Sequence, residues 1–161
     1  MQPPTPGEPE PPAEAITAAG HDLAMALRAA YLTMHRRANA ELARFGLTAD
    51  QFVLLTALAE AGGVTQKELA RRTDSDANTM SEMLGRLEKR GLVTRERDAA
   101  DGRARRVSLT EGGREVHRRA WDGIAAFLGR LAGLVPSDEL GELVGHLGRI
   151  ARGMDARGDE A

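Results

Sequence analysis

The chain of 161 residues contains no cysteine and only five aromatic residues: Tyr31, Phe45, Phe52, Trp121 and Phe127. Without thiols it can form no disulfide, no thiolate metal site and no cysteine redox sensor. With so few rings, the 42% apolar content must build its core from Leu, Val, Ile, Met and Ala. No apolar run approaches the ~20 residues that a membrane-spanning helix needs. The opening MQPPTPGEPEPP lacks the basic-then-apolar order of a secretion signal. A soluble, cytoplasmic protein with no membrane partner is expected. Catalytic signatures are also missing: there is no His-Glu-x-x-His, phosphate loop, Gly-x-Ser-x-Gly elbow or Cys-His pair, so no enzyme is expected. His117 and His146 form no close-spaced ligand motif, and neither metal nor cofactor is expected.

Charge is distributed unevenly. The net charge is −2. Residues 1–20 carry Glu8, Glu10 and Glu14 and no base, and residues 137–161 are also acidic. Between Arg86 and Arg106 stand Arg86, Lys89, Arg90, Arg95, Arg97, Arg103, Arg105 and Arg106, opposed only by Glu88, Glu96, Asp98 and Asp101. The bases are gathered in one region, which a whole-chain average hides.

The Pro- and Glu-rich start cannot bury apolar surface and reads as an unstructured tail, taken over 1–20. From about Asp22 to Phe45, Leu23, Leu27, Tyr31, Met34, Ala38 and Leu42 recur at helical spacing, and Gly46 caps the end. Thr48-Ala-Asp-Gln51 has the form of a capping box and opens a second helix, which Gly62-Gly63 stops. Thr65-Gln-Lys-Glu68 repeats that form and starts a short third helix. After the turn Thr73 to Asp76, a fourth helix runs to Arg90, with Met80, Met83, Leu84 and Leu87 inward. Leu92–Arg97 and Arg105–Leu109 then alternate as strands, joined across Asp101-Gly102, a hairpin signal. Thr110 caps a fifth helix bearing Val116, Ala120, Ile124, Phe127 and Leu131. Pro136-Ser-Asp138 starts a sixth bearing Leu140, Leu143, Leu147, Ile150 and Met154.

The fold class expected is mainly α with a small β-hairpin wing: a winged helix-turn-helix plus helical segments. The third and fourth helices make the helix-turn-helix, whose second member enters the DNA major groove with its N-terminal residues nearest the bases. Asp76, Asn78, Thr79, Ser81 and Glu82 give that helix a short polar start, and Arg86 flanks it. Asn and Ser can read base edges, whereas a carboxylate accepts only from a donor such as the cytosine amino group. The hairpin tip Arg103, beside Gly102, suits a narrow minor groove. Arg97 and Arg105 are further candidates, with Arg95 and Arg106, although alternate strand positions face opposite sides. Asp101 is read as orienting a wing arginine, since phosphate repels a carboxylate.

Leu84-Gly-Arg-Leu-Glu-Lys-Arg-Gly-Leu-Val93, Asp98-Ala-Ala-Asp-Gly-Arg103 and Val107-Ser-Leu-Thr-Glu-Gly-Gly113 together resemble the MarR family of transcription regulators, over about His21 to Met154. The resemblance implies a homodimer on double-stranded DNA, with residues 21–47 and 111–154 supplying dimerisation helices around a DNA-binding domain at 48–110. Residues 155–161 are expected to be a second unstructured tail. The expected function is sequence-specific regulation, as a repressor on a palindromic operator. Three departures stand out. Ala99 replaces a proline common in the family's wings, Gly102 precedes the arginine, and Glu82 stands where a base is common. The chain also lacks the cysteine of the oxidation-sensing branch and the N-terminal tryptophan of the urate-responsive branch.

The resemblance further implies a ligand pocket between the dimer region and the DNA-reading lobe. It places that pocket near Tyr31, His35, Arg36, His117 and Trp121, where a small aromatic or anionic effector could find charge and an apolar wall. The plainer alternatives are a solvated helix face for His35, Arg36 and Arg37, and ordinary dimer packing for His117 and Trp121. At the level of the whole protein the alternative is a winged-helix module that mediates protein assembly without DNA. The basic hairpin speaks against it.

Overall fold

The computed structural model describes residues 13–97 and 105–155. Six helices and three short strands follow in the order α1 (Ala13–Leu42), α2 (Ala49–Ala61), β1 (Val64–Thr65), α3 (Gln66–Arg72), α4 (Ala77–Lys89), β2 (Val93–Arg97), β3 (Arg105–Leu109), α5 (Glu111–Ala132) and α6 (Leu140–Asp155). A 3-10 turn, Ala43–Phe45, ends α1 at Gly46.

Two boundaries differ from expectation. Helix α1 begins at Ala13, inside the stretch read as unstructured, because Ala13, Ala15, Ala18 and Ala19 favour helix and no proline follows Pro12 within it, although Gly20 is tolerated there. Residues 1–12 and 156–161, the rest of the two expected tails, lie outside the described residues. Helix α6 begins at Leu140 instead of at Pro136. The carbonyl of Pro136 accepts from the Glu139 and Leu140 amides and closes a turn first.

The helix starts show how the sequence dictates local structure. Thr48 accepts from the Gln51 amide while the Gln51 side chain accepts from the Thr48 amide, so the capping box at α2 is complete. At α3 only half of one forms. Thr65 accepts from the Glu68 amide, but the Glu68 carboxylate turns to Arg71 and Arg72 at 2.7–2.9 Å. Those two guanidiniums, Arg71 first, hold Glu68 down at about 2.

The core gathers Leu42, Leu54, Leu55, Leu58, Leu69, Met80, Leu84, Leu87, Val93 and Val107, each essentially inaccessible. It is aliphatic, as the shortage of rings requires. Leu54 joins Leu55 inside because α2 is clasped between α1, α3 and α5, so it buries more than one stripe. The sheet has the order β1-β3-β2 and is antiparallel throughout. Strand β1, two residues pairing with Val107 and Arg106, escaped the sequence reading because period-two alternation needs a longer run. It approaches β3 closely through Gly63, where a Cβ would lie 2.6 Å from the Ser108 hydroxyl. Helix α6 has no buried residue over 140–154. Among the described residues no single helix is long and apolar enough to cross a membrane.

Candidate nucleic-acid interface

Helix α4 buries Met80, Leu84 and Leu87 and turns Asn78, Ser81, Glu82, Arg86 and Lys89 outward on the opposite side. The spacing of these five, with Gly85 among them, makes one polar stripe. A Cβ added at Gly85 would meet nothing within 4 Å, so the middle of the stripe is open.

Asp76, expected among the DNA-binding residues, is engaged as the cap of α4. Its carboxylate caps α4, accepting from the Asn78 and Thr79 amides at 2.9 Å each and from the Thr79 hydroxyl at 2.6 Å. These bonds, the Thr79 hydroxyl first, lower its pKa below the usual carboxylate range. Asp76 and Thr79 are therefore bound to one another. Asn78 and Ser81 carry no side-chain bond among the described residues. Arg86 donates to Glu82 at 3.2 Å, one turn back on the same stripe.

The basic segment divides into structural and free arginines. Arg90 donates to the Gly46 carbonyl at 2.6 Å and ties the end of α4 to the α1–α2 turn. Arg95 donates to Glu88 through Nε at 2.9 Å and again through its guanidinium terminus. This pair locks the hairpin against α4, and Arg95, foremost, lowers the pKa of Glu88. Arg95 is thus a brace. Arg97 and Arg105 stand directly opposite each other in the β2–β3 register, both exposed. Neither is held in an ion pair among the described residues. Like charges facing across strands destabilise a hairpin unless something anionic answers them. Arg106 sits on β3 between Thr65 of β1 and Glu96 of β2, and Arg103 and Asp101 lie outside the described residues.

The residues expected at a ligand pocket fall into two clusters. At the α1–α2 joint, Tyr31 packs on His35 with ring centroids 5.4 Å apart. The Ala49 amide donates to Asn39 Oδ1 and Asn39 Nδ2 lies 3.1 Å from His35 Nδ1. With that nitrogen accepting, His35 Nε2 carries the proton towards Asp50 at 3.2 Å. Between α2 and α5, Phe52 stacks on His117 at 5.6 Å and on Trp121 at 6.0 Å, and His117 Nε2 lies 3.0 Å from the Thr56 hydroxyl. Arg36 is exposed and belongs to neither cluster. Sequence reasoning missed Phe52, Thr56, Asp50 and Asn39. The only signal was the i, i+4 spacing of residues 52 and 56, and it reads as ordinary core. Among the described residues no group of acidic, His or Cys side chains could hold a metal ion.

Comparison with known proteins agrees with this geometry. The family model described as MarR family matches residues 45–104, which take in the helix-turn-helix and β2. The transcriptional regulator HosA of Escherichia coli is 43% identical over 90 residues, which span 53% of this chain and 67% of HosA. Among solved structures, the transcriptional repressor CouR bound to a 23-mer DNA duplex is 32% identical with a TM-score of 0.75, over 80% of this chain and 92% of that one. The PcaV transcriptional regulator of Streptomyces coelicolor, in complex with its natural ligand, is 30% identical with a TM-score of 0.69, over 81% and 89%. With the helix-turn-helix matched by the family model and a relative aligned across two thirds of its length, the chain belongs to the MarR family of winged-helix transcriptional regulators.

Proposed function

We propose that the protein binds a palindromic operator as a homodimer, represses transcription from it, and lets go when a small molecule occupies the region between α1, α2 and α5. The observation that carries the DNA reading is the exposed Arg97–Arg105 couple on the hairpin, in no ion pair within 4 Å among the described residues, with the hairpin locked by Glu88–Arg95 to a helix with a polar outward stripe. Phosphate neutralises the couple, while the stripe is left to face base edges. Asn78 suits adenine. Glu82, as an acceptor, suits the amino group of cytosine. The repressor named CouR was solved on DNA, which supports the same use of this fold here.

The dimer reading rests on unsatisfied apolar surface. Leu23, Met25, Tyr31 and Leu32 of α1 and Leu143, Val144, Leu147 and Met154 of α6 are all 40–70% exposed. Helix α6, with no buried side chain over 140–154, is marginal alone in water and needs a partner surface. A two-fold dimer also accounts for a palindromic site, with its recognition helices about 34–36 Å apart. A ligand that prefers a differently spaced dimer must weaken DNA binding by its differential affinity. PcaV, solved with its natural ligand, supports a small-molecule input.

A mobility-shift titration against the DNA upstream of the protein's own gene tests the reading. A specific shift that weakens with salt is expected. Replacing Arg97 or Arg105 by Ala should reduce the salt slope by about one unit each and weaken all sequences alike. If every DNA bound equally and the two variants changed nothing, a protein-assembly role would replace this one.

A further inference from the structure

An open groove of about 380 Å³ runs between α2 and α5, lined by Thr56, Ala59, Glu60, His117, Arg118 and Trp121. We infer that this groove binds a planar aromatic cation, such as an N-alkylated heteroaromatic ring, and discriminates against aromatic acids. The inference deepens the ligand part of the reading above by naming the ligand's class. It does not depend on DNA release.

The groove offers π surface to a cation. Phe52 backs His117 and Trp121 at 25–26° between ring planes, and His117 and Trp121 lie 6.1 Å apart. Trp121 is 47% exposed, so one indole face is available to a flat ligand. A cation over an indole gains electrostatically from the ring quadrupole, and an anion does not.

The charges point the same way. Glu60 lines the groove and has no ion pair among the described residues. Arg118, the lining residue that an acid would seek, is held by Glu115 at 2.8 Å and Asp122 at 3.5 Å. Both partners are acids, so Glu60, Glu115 and Asp122 together outweigh Arg118. The next base along α5, Arg114, lines the adjoining hollow beside Ser108 and Leu109 instead.

The hydrogen-bond donors that a carboxylate needs are already engaged. The Thr56 hydroxyl donates to the Phe52 carbonyl at 2.9 Å, so it accepts from His117 Nε2–H at 3.0 Å. His117 is left with a bare Nδ1, an acceptor. Burial lowers its pKa despite the pull of Glu60, so near neutrality the ring adds no positive charge. Among the described side chains that line the groove, only the indole N–H and the engaged Arg118 are left to hold a carboxylate. An anionic effector fits this site poorly, and the aromatic half of the sequence expectation fits it well.

Calorimetric titration of the full chain, free of DNA, tests the inference with two bicyclic probes of matched shape and opposite charge: N-methylquinolinium and naphthoate. The cation should bind at least about tenfold more tightly, and Glu60→Gln should remove most of that preference. Trp121→Leu should weaken both probes, with circular dichroism confirming the fold. Naphthoate binding as tightly as the cation, neither probe binding, or a preference that survives Glu60→Gln would each overturn the inference. Operator release is measured separately. Cation binding without release would retire the release reading alone, and release by naphthoate with no cation binding would retire this inference alone.

Discussion

Asp76 and Asn differ in charge but not in their capacity to cap a helix, so one position can separate two roles. Asp76 accepts three bonds from Asn78 and Thr79 at the start of α4. Asp76→Asn should keep the melting temperature close to that of the parent, because Asn caps as well as Asp, whereas Asp76→Ala should lower it. If Asp76→Asn also leaves operator preference unchanged in a competition binding assay, capping is its whole contribution. His117 makes a second residue-scale prediction. Its folded pKa lies below the ordinary imidazole value because burial disfavours the charged ring. Above the unfolded value both states hold a neutral ring and pH has no effect through this group. As pH falls through that value the unfolded chain takes up the proton first, so stability declines until the folded pKa is passed. His117→Gln should therefore flatten part of the fall in melting temperature between about pH 7 and pH 5. An unchanged slope in scanning calorimetry would show that the ring protonates as freely folded as unfolded.

The junction between hairpin and α5 is set by a close backbone approach at element scale. Thr110 caps α5 by accepting from the Gly113 amide at 2.9 Å, and its own hydroxyl donates to the Gly91 carbonyl at 2.7 Å. A Cβ at Gly113 would lie 1.9 Å from the Leu92 carbonyl oxygen, which is backbone and cannot swing aside. Gly113→Ala should cost on the order of 3 kcal/mol, the upper end of overpacking, as read by urea denaturation. Loss of less than about 0.5 kcal/mol, the scale of an ordinary surface change, would mean that α5 re-docks freely. The wing is held to α4 in a similar way, by Arg95 and Glu88. That pair engages Arg95, as the Gly46 carbonyl engages Arg90, within the fold.

At the scale of the whole molecule, the compact part comprises α2 to α5 with the C-terminal end of α1. The N-terminal turns of α1 and all of α6 lie outside it with apolar side chains exposed. Replacing Leu143 and Leu147 together by Glu should disrupt a dimer without touching the buried core. Light scattering should then show monomer, and operator affinity should fall because one half-site is gripped alone. A dimer that persists at micromolar concentration in the double variant would place the interface elsewhere.

The order of the helices, the helix-turn-helix and the β2–β3 hairpin follow from the sequence alone, because caps at Thr48, Thr65 and Thr110, glycine stops and apolar periodicity are local signals. The short polar start of α4, with Asn78, Ser81 and Glu82, is likewise legible in the sequence. Four features were decided only by tertiary structure: the two-residue β1, the division of the arginines into braces and a free couple, the role of Asp76 as a cap, and the Phe52–His117–Trp121 groove. Each depends on residues brought together from distant parts of the chain or on the direction a side chain takes. A carboxylate or guanidinium looks the same in sequence whether its partner is a helix end, a neighbouring strand or nothing. Spacing fixes which face of a helix a residue lies on, but only packing determines what that face meets.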